Sequence, residues 1–90
     1  MPIPSYYRSH GGRVFRVQRI HTPTDGGVRY VLRASTVKGV ENAAVPVAEV
    51  AQEVSTEVVR EKIRLRQAVP TAEQCFEQLW QQLRLELDGQ

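Results

Sequence analysis

The spacing of apolar residues changes near residue 46 of the chain. Before that point apolar side chains tend to recur at every second position, and after it they recur at every third or fourth. A period of two is typical of a strand and a period near 3.6 of a helix. The pattern therefore predicts a single α+β domain over residues 1–90, with an N-terminal antiparallel β-hairpin packed on two C-terminal α-helices.

The hairpin is predicted from two alternating segments, 13–20 and 28–35, within a hairpin region that covers residues 13–40. Phe15 and Val17 share one face of the first strand, and Tyr30 and Leu32 share one face of the second. The glycines of the intervening loop, residues 21–27, can adopt the positive φ that a hairpin turn needs. A short third strand over residues 37–40 is an alternative that the pattern leaves open.

The first twelve residues are predicted to form an extended arm or loop. Pro2 and Pro4 favour extended backbone, and the pair Gly11-Gly12 interrupts any regular element.

The first predicted helix covers residues 46–67. Pro46 suits the first helical turn, and one stripe of a helical wheel collects six apolar side chains: Val47, Val50, Ala51, Val54, Val58 and Leu65. Valine is a poor helix former, so packing against the rest of the domain would have to stabilise this segment. An alternative ends the helix near Arg60 and makes residues 62–66 a third strand.

The second predicted helix, residues 71–88, has the clearest amphipathic pattern in the chain. Thr71 and Gln74 form a capping-box pair at its start, and Gly89 follows its end. Its predicted buried stripe consists of Ala72, Phe76, Leu79, Trp80, Leu83 and Leu87.

Four apolar positions suggest a surface that a second subunit covers. Val59 and Ile63 lie opposite the main stripe of the first predicted helix, and Leu85 lies opposite the stripe of the second. Trp80 is expected at or near the same contact. A domain of 90 residues has a thin core, which oligomerisation often supplements. We therefore expect a homodimer or a larger homo-oligomer, since symmetric dimers are the commonest closed assembly.

Charge is distributed unevenly along the chain. Seven basic residues and one acidic residue give residues 1–40 a net charge of +6, whereas five basic and nine acidic residues give residues 41–90 a net charge of −4. The predicted hairpin and its arm carry the arginines that could bind phosphate or another anion: Arg8, Arg13, Arg16, Arg29 and Arg33. The alternative is a solvated strand face whose arginines pair with glutamates of the helices, and the overall charge of +2 favours it.

Signatures of catalysis or metal binding are weak. His10 and His21 have no cysteine or acid at the spacing of metal ligands, so no metal and no cofactor are expected. An active site built from Tyr7, His10, Arg13 and an acid such as Glu41 is an alternative that no motif selects. The single cysteine, Cys75, is predicted to be a small, partly buried residue.

We therefore predict a non-enzymatic interaction or regulatory module that self-associates and binds another macromolecule. A protein partner fits this hypothesis, nucleic acid is a less favoured alternative, and a small enzyme is a second one. One cysteine and the lack of an export signal favour the cytoplasm, and no apolar run is long enough to cross a membrane.

Overall fold

The computed structural model describes residues 2–37 and 46–89, which form four strands followed by two helices. The strands are β1 (Tyr6–Arg8), β2 (Val14–Thr24), β3 (Gly27–Thr36) and β4 (Pro46–Ser55); the helices are α1 (Thr56–Arg64) and α2 (Ala72–Asp88). All neighbouring strands are antiparallel, in the order β1-β2-β3-β4. The predicted α+β fold, with N-terminal antiparallel strands and two C-terminal helices, is confirmed.

The predicted helix over residues 46–67 is wrong in its first part, because β4 occupies Pro46–Ser55. Val50 and Val54 are buried on the side of the sheet that faces α2, while Glu49 and Glu53 are exposed on the other side. Valine is more favourable in a strand than in a helix, and β3 supplies the pairing that an isolated sequence window does not show. The alternative strand over residues 62–66 is also wrong, because α1 continues to Arg64.

The predicted N-terminal arm contains a strand. Tyr7 of β1 pairs with Phe15 of β2, and the connection between them is a tight turn. In this turn the Gly12 amide donates to the Ser9 carbonyl at 3.0 Å, and Gly12 has a φ of 82°. A hairpin loop of this kind needs one residue in the left-handed region, which glycine supplies. For the alternative strand over residues 37–40, the structure shows only Val37, which lies beyond the end of β3. Residues 38–40 lie outside the described residues.

The β2–β3 hairpin is longer than predicted. Its strands pair from Phe15 and Thr36 as far as Thr24 and Gly27, so the turn is reduced to Asp25-Gly26. Gly26 has a φ of 84°, which confirms the positive φ predicted for a glycine of this turn. Pro23 is tolerated inside β2 because the short strand β1 does not reach it, which leaves this part of β2 at an edge of the sheet.

The hydrophobic core lies between one face of the sheet and α2. The predicted stripe of α2 and the predicted inner faces of β2 and β3 meet there, with Phe15, Leu32, Cys75, Leu79, Leu83 and Leu87 almost fully buried. The Tyr30 and Phe76 rings pack edge to face at a centroid distance of 5.3 Å.

Both ends of α2 are capped as the sequence predicts. The Thr71 hydroxyl accepts a hydrogen bond from the Gln74 amide at 3.2 Å, and the Gln74 side chain accepts one from the Thr71 amide at 2.9 Å. Gly89 is the C-cap residue. These contacts define where α2 begins and ends, and the packing of its apolar stripe on the sheet determines which of its side chains are exposed.

Candidate binding surfaces

The face of the sheet that points away from α2 carries rows of charge separated by an apolar row. Arg33 lies between Gln18 and Glu49, and its Nε is 3.0 Å from a Glu49 carboxylate oxygen. Four residues away along β3 and on the same face, Arg29 lies opposite Glu53, with its Nε 3.9 Å from a Glu53 carboxylate oxygen. Opposite charges on adjacent strands stabilise a sheet, so these ion pairs offset much of the charge of both arginines.

Between the charged rows, Val31 pairs with Ile20 on one side and with Ala51 on the other. Val31 is only 4% exposed although it lies on the face opposite the core. Long neighbouring side chains can cover an apolar residue with their alkyl stems. The open face is therefore apolar in its middle row and charged on either side of that row.

The remaining arginines of the predicted anion site are not all on one surface. Tyr6 of β1 pairs with Arg16, and strand alternation puts Arg8 and Arg16 on the open face with Arg29 and Arg33. Arg8 and Arg16 have no ion pair with any residue in the described ranges 2–37 and 46–89. Arg13 lies in the exposed segment between β1 and β2, before the strand begins.

One edge of the sheet is a long strand. Strand β4 has ten residues and pairs with β3, and no other strand of the described segments pairs with its outer side. Edge strands of this length present unpaired backbone N–H and C=O groups to any extended chain that approaches. On the α2 side, β4 borders a cleft of about 540 Å³ whose polar lining residues are Gln52, Gln74, Gln78 and Gln81 together with Lys62 and Glu77.

A second surface is formed by α1 and the segment that follows it. Helix α1 has no buried residue, and Val59 alone of its residues packs partly against the core. Large apolar side chains of α1 and of the following segment are exposed by 39 to 62%: Val58, Ile63, Leu65 and Val69. We call these four side chains the α1 surface.

The predicted oligomer residues separate into two groups. Trp80 is 6% exposed and belongs to the core of the subunit, whereas Val59 is partly buried and packs against that core. The placement of Trp80 at an outer contact is therefore wrong; its ring packs on that of Tyr7 at 4.9 Å. Ile63 and Leu85 remain exposed, by 62% and 78%.

Near the turn between β1 and β2, polar side chains meet the end of α2. The Tyr7 hydroxyl donates a hydrogen bond to Asp88 Oδ1 at 2.5 Å, and His10 Nε2 lies 3.9 Å from Asp88 Oδ2. The hydrogen bond to Asp88, followed by burial, raises the pKa of the Tyr7 hydroxyl. Of the suggested active-site residues, Tyr7 and His10 do come together, but the acid beside them is Asp88; Glu41 lies outside the described residues.

The Cys75 thiol and the possible metal ligands are the other groups with potential chemistry. Burial raises the pKa of the Cys75 thiol, which is fully inaccessible, so the thiol stays protonated at neutral pH. Within residues 2–37 and 46–89, no three histidine, cysteine, aspartate or glutamate side chains are grouped so that they could hold a metal ion. No helix in the same part of the chain has the length and apolar character to cross a bilayer.

Comparison of the chain with protein-family models, with curated proteins and with solved structures gives no match. The open face of the sheet, the edge of β4 and the α1 surface are therefore the features from which a function can be inferred. The edge of β4 was missed in the sequence because residues 46–55 also fit a helical period. The alternation of Ala48, Val50, Gln52 and Val54 with exposed neighbours is the signal that could have revealed it.

Proposed function

We propose that the protein is a small non-enzymatic interaction module that self-associates through the α1 surface and binds a second macromolecule. The observation that supports this function is that α1 buries none of its own residues while it and the following segment expose four large apolar side chains. Several large apolar side chains left exposed on one short segment of a domain are typical of a contact with another chain.

Helix α1 is also too short to be stable without packing. It has nine residues, and isolated helices shorter than about 12 to 15 residues are marginal in water. Its N-cap, in which Ser55 Oγ accepts a hydrogen bond from the Val58 amide at 3.2 Å, contributes only about 1 kcal/mol. A second copy that covers Ile63, the most exposed apolar side chain of α1, would supply further packing, and a two-fold axis would close the contact.

The mass of the protein in solution tests this proposal. Light scattering should give a mass above that of one subunit at micromolar concentration, and Ile63→Glu should reduce it to the mass of a monomer. Gln82→Glu introduces the same charge at an exposed position of α2 and should leave the wild-type mass unchanged. A wild-type monomer at high micromolar concentration would contradict self-association.

A second candidate function is binding of nucleic acid by the open face of the sheet. It is favoured by the position of Arg8 and Arg16 beside Tyr6, which is 59% exposed and could stack on a base. It is opposed by Glu49 and Glu53, which already pair with the other two arginines.

The effect of salt on binding to an oligonucleotide tests the nucleic-acid candidate separately from self-association. If the open face binds nucleic acid, affinity for a single-stranded oligonucleotide falls steeply with salt, and replacing both Arg8 and Arg16 with alanine abolishes it. Retention on heparin or DNA that does not respond to salt, or no retention, would remove this candidate.

A further inference from the structure

Among the residues described, strand β4 carries two carboxylates that have a cationic neighbour on one side only. Glu49 and Glu53 lie on the last strand of the sheet, each with an arginine of β3 on its inner side. Their side chains remain 37% and 71% exposed. On the outer side of the strand no residue of the described part of the chain continues either charged row.

We propose that the free edge of β4 receives an extended segment of a partner protein as a fifth strand, and that this segment carries lysine or arginine at the two positions opposite Glu49 and Glu53. The inference rests on the proposed function, whose second macromolecule it identifies as a basic, extended polypeptide. Such strand addition uses backbone hydrogen bonds for affinity and alternate side chains for specificity.

Cross-strand pairing determines the spacing of the basic residues. A fifth strand would continue the row Gln18–Arg33–Glu49 and the row of Arg29 and Glu53 with one cation each. Each carboxylate would then lie between two cations, an arrangement that cross-strand charge pairing favours. The two basic residues of the partner are therefore separated by three others, as Glu49 and Glu53 are.

The apolar row between the two charged rows determines which residue of the partner segment should lie midway between its two cations. Ile20, Val31 and Ala51 form an apolar row across the sheet, and Ala51 is exposed at its outer end. A valine or isoleucine of the partner would lie beside Ala51 and extend the row. The residues that alternate with these three would point to the opposite side, next to Val50 and Gln52 and the polar cleft beside β4, where small polar side chains can form hydrogen bonds.

A second copy of β4 fits this edge less well than a basic segment. In a symmetric antiparallel pairing of two β4 strands, Glu49 and Glu53 of both copies lie on the same side of the joined strands. In any alignment that pairs the central residues, the carboxylates face one another directly or diagonally, and like charges at such positions are destabilising. The edge is therefore expected to reject self-pairing and to accept a strand of opposite charge.

The probe is the capped synthetic peptide Thr-Lys-Thr-Val-Thr-Lys-Thr, which has the predicted spacing in either strand direction. It is titrated into the isotope-labelled chain of 90 residues, and binding is followed by changes in the amide NMR chemical shifts. We expect saturable shifts concentrated in Pro46–Ser55. The permuted peptide Thr-Lys-Lys-Val-Thr-Thr-Thr has the same composition, but its adjacent lysines point to opposite faces. It should bind about two- to fivefold more weakly, which corresponds to the loss of one cross-strand ion pair.

Two protein variants test whether the contact is at β4. Glu53→Lys should weaken binding of the two-lysine peptide by about tenfold or more, because it replaces an attraction by a repulsion. Glu86→Lys makes the same charge change at an exposed site on α2 and should leave the affinity unchanged. A peptide with one lysine replaced by glutamate should bind the Glu53→Lys variant more tightly than the two-lysine peptide does.

Backbone pairing is tested by N-methylation of alternate residues of the peptide. Methylation should abolish binding when it removes the amides that face β4 and should have little effect on the alternate set. Equal effects of the two sets, equal binding of the permuted peptide, shifts outside β4 or no binding would each overturn the inference. If light scattering still shows an oligomer, the self-association in the proposed function survives that failure. A monomer that binds the peptide at β4 would contradict self-association and leave this inference intact.

Discussion

The hydroxyl of Tyr7 donates a hydrogen bond to Asp88 Oδ1 at 2.5 Å and so joins the first strand of the sheet to the last residue of α2. The two residues are 81 positions apart in sequence. Strand β1 has only three residues, and the Tyr7 ring also packs on Trp80. We infer that Tyr7 is the main contact that holds this edge of the sheet against the helix.

Removing the hydroxyl should destabilise the fold at neutral pH. Tyr7→Phe keeps the ring contact with Trp80 and leaves Asp88 without this donor, so the free energy of unfolding should fall by about 1 kcal/mol. Urea denaturation measures the change. Tyr6→Phe is the matched control, because Tyr6 is 59% exposed and its replacement should change stability by less than about 0.5 kcal/mol. Equal stability of the two variants would contradict the role of the hydrogen bond.

The same contact predicts a dependence of stability on alkaline pH. The hydrogen bond to Asp88 raises the pKa of Tyr7 above its ordinary value of 10.0, so the folded state retains the proton longer than the unfolded state. The stability contributed by this proton is fully present below pH 10.0 and is lost as pH rises through the folded-state pKa. The stability difference between wild type and Tyr7→Phe should therefore narrow above pH 10.0. If the stability difference between wild type and Tyr7→Phe instead widens above pH 10.0, the pKa of Tyr7 is not raised in the folded state.

The two faces of α2 should differ sharply in their sensitivity to truncation. Leu83 is fully buried against the sheet, and Leu83→Ala should cost about 2 to 5 kcal/mol of unfolding free energy. Leu85 is 78% exposed on the same helix, and Leu85→Ala should cost less than about 0.5 kcal/mol in a dilute sample. Denaturant unfolding of both variants checks this. A large loss for Leu85→Ala would place that side chain in a contact with another subunit.

The glycine after the β2–β3 turn is required by the close approach of β4. A Cβ on Gly27 would overlap the Val54 carbonyl oxygen, so Gly27→Ala should destabilise the fold by about 2 to 3 kcal/mol. Gly26→Ala meets no atom within 4 Å and is opposed only by its φ of 84°, which costs about 1 kcal/mol. Thermal unfolding should therefore show a larger decrease in Tm for Gly27→Ala. The reverse order would contradict the placement of β4 against β3.

Local sequence patterns were sufficient for the elements whose stability is local. The Thr71–Gln74 capping box and the stripe through Leu79 and Leu83 define α2 without reference to the rest of the chain. The alternation around Phe15 and Leu32 likewise defines the inner faces of β2 and β3. In these segments one period fits the apolar residues far better than the other.

Residues 46–55 could not be assigned by pattern alone, because their apolar residues satisfy both periods. Val47, Val50, Ala51 and Val54 lie on one helical stripe, yet Val50 and Val54 also alternate with exposed residues as a strand requires. Whether this segment forms a strand or a helix depends on its pairing with β3, which the periodicity of the segment itself does not show. Ser55 marked the true start of α1, since its side chain caps the helix. With that boundary misplaced, the free edge of β4 could not be predicted as a candidate site.

We infer that α1 depends on a second subunit for its stability, because none of its residues is buried in the single subunit. Hydrogen exchange measured residue by residue over a series of protein concentrations would detect this dependence. We predict that amide protection in Thr56–Arg64 rises with concentration while protection in the core of α2 does not change, and that Ile63→Glu removes the rise. Amide protection of α1 that is the same at every protein concentration, whether high or low, would show that no second subunit stabilises this helix.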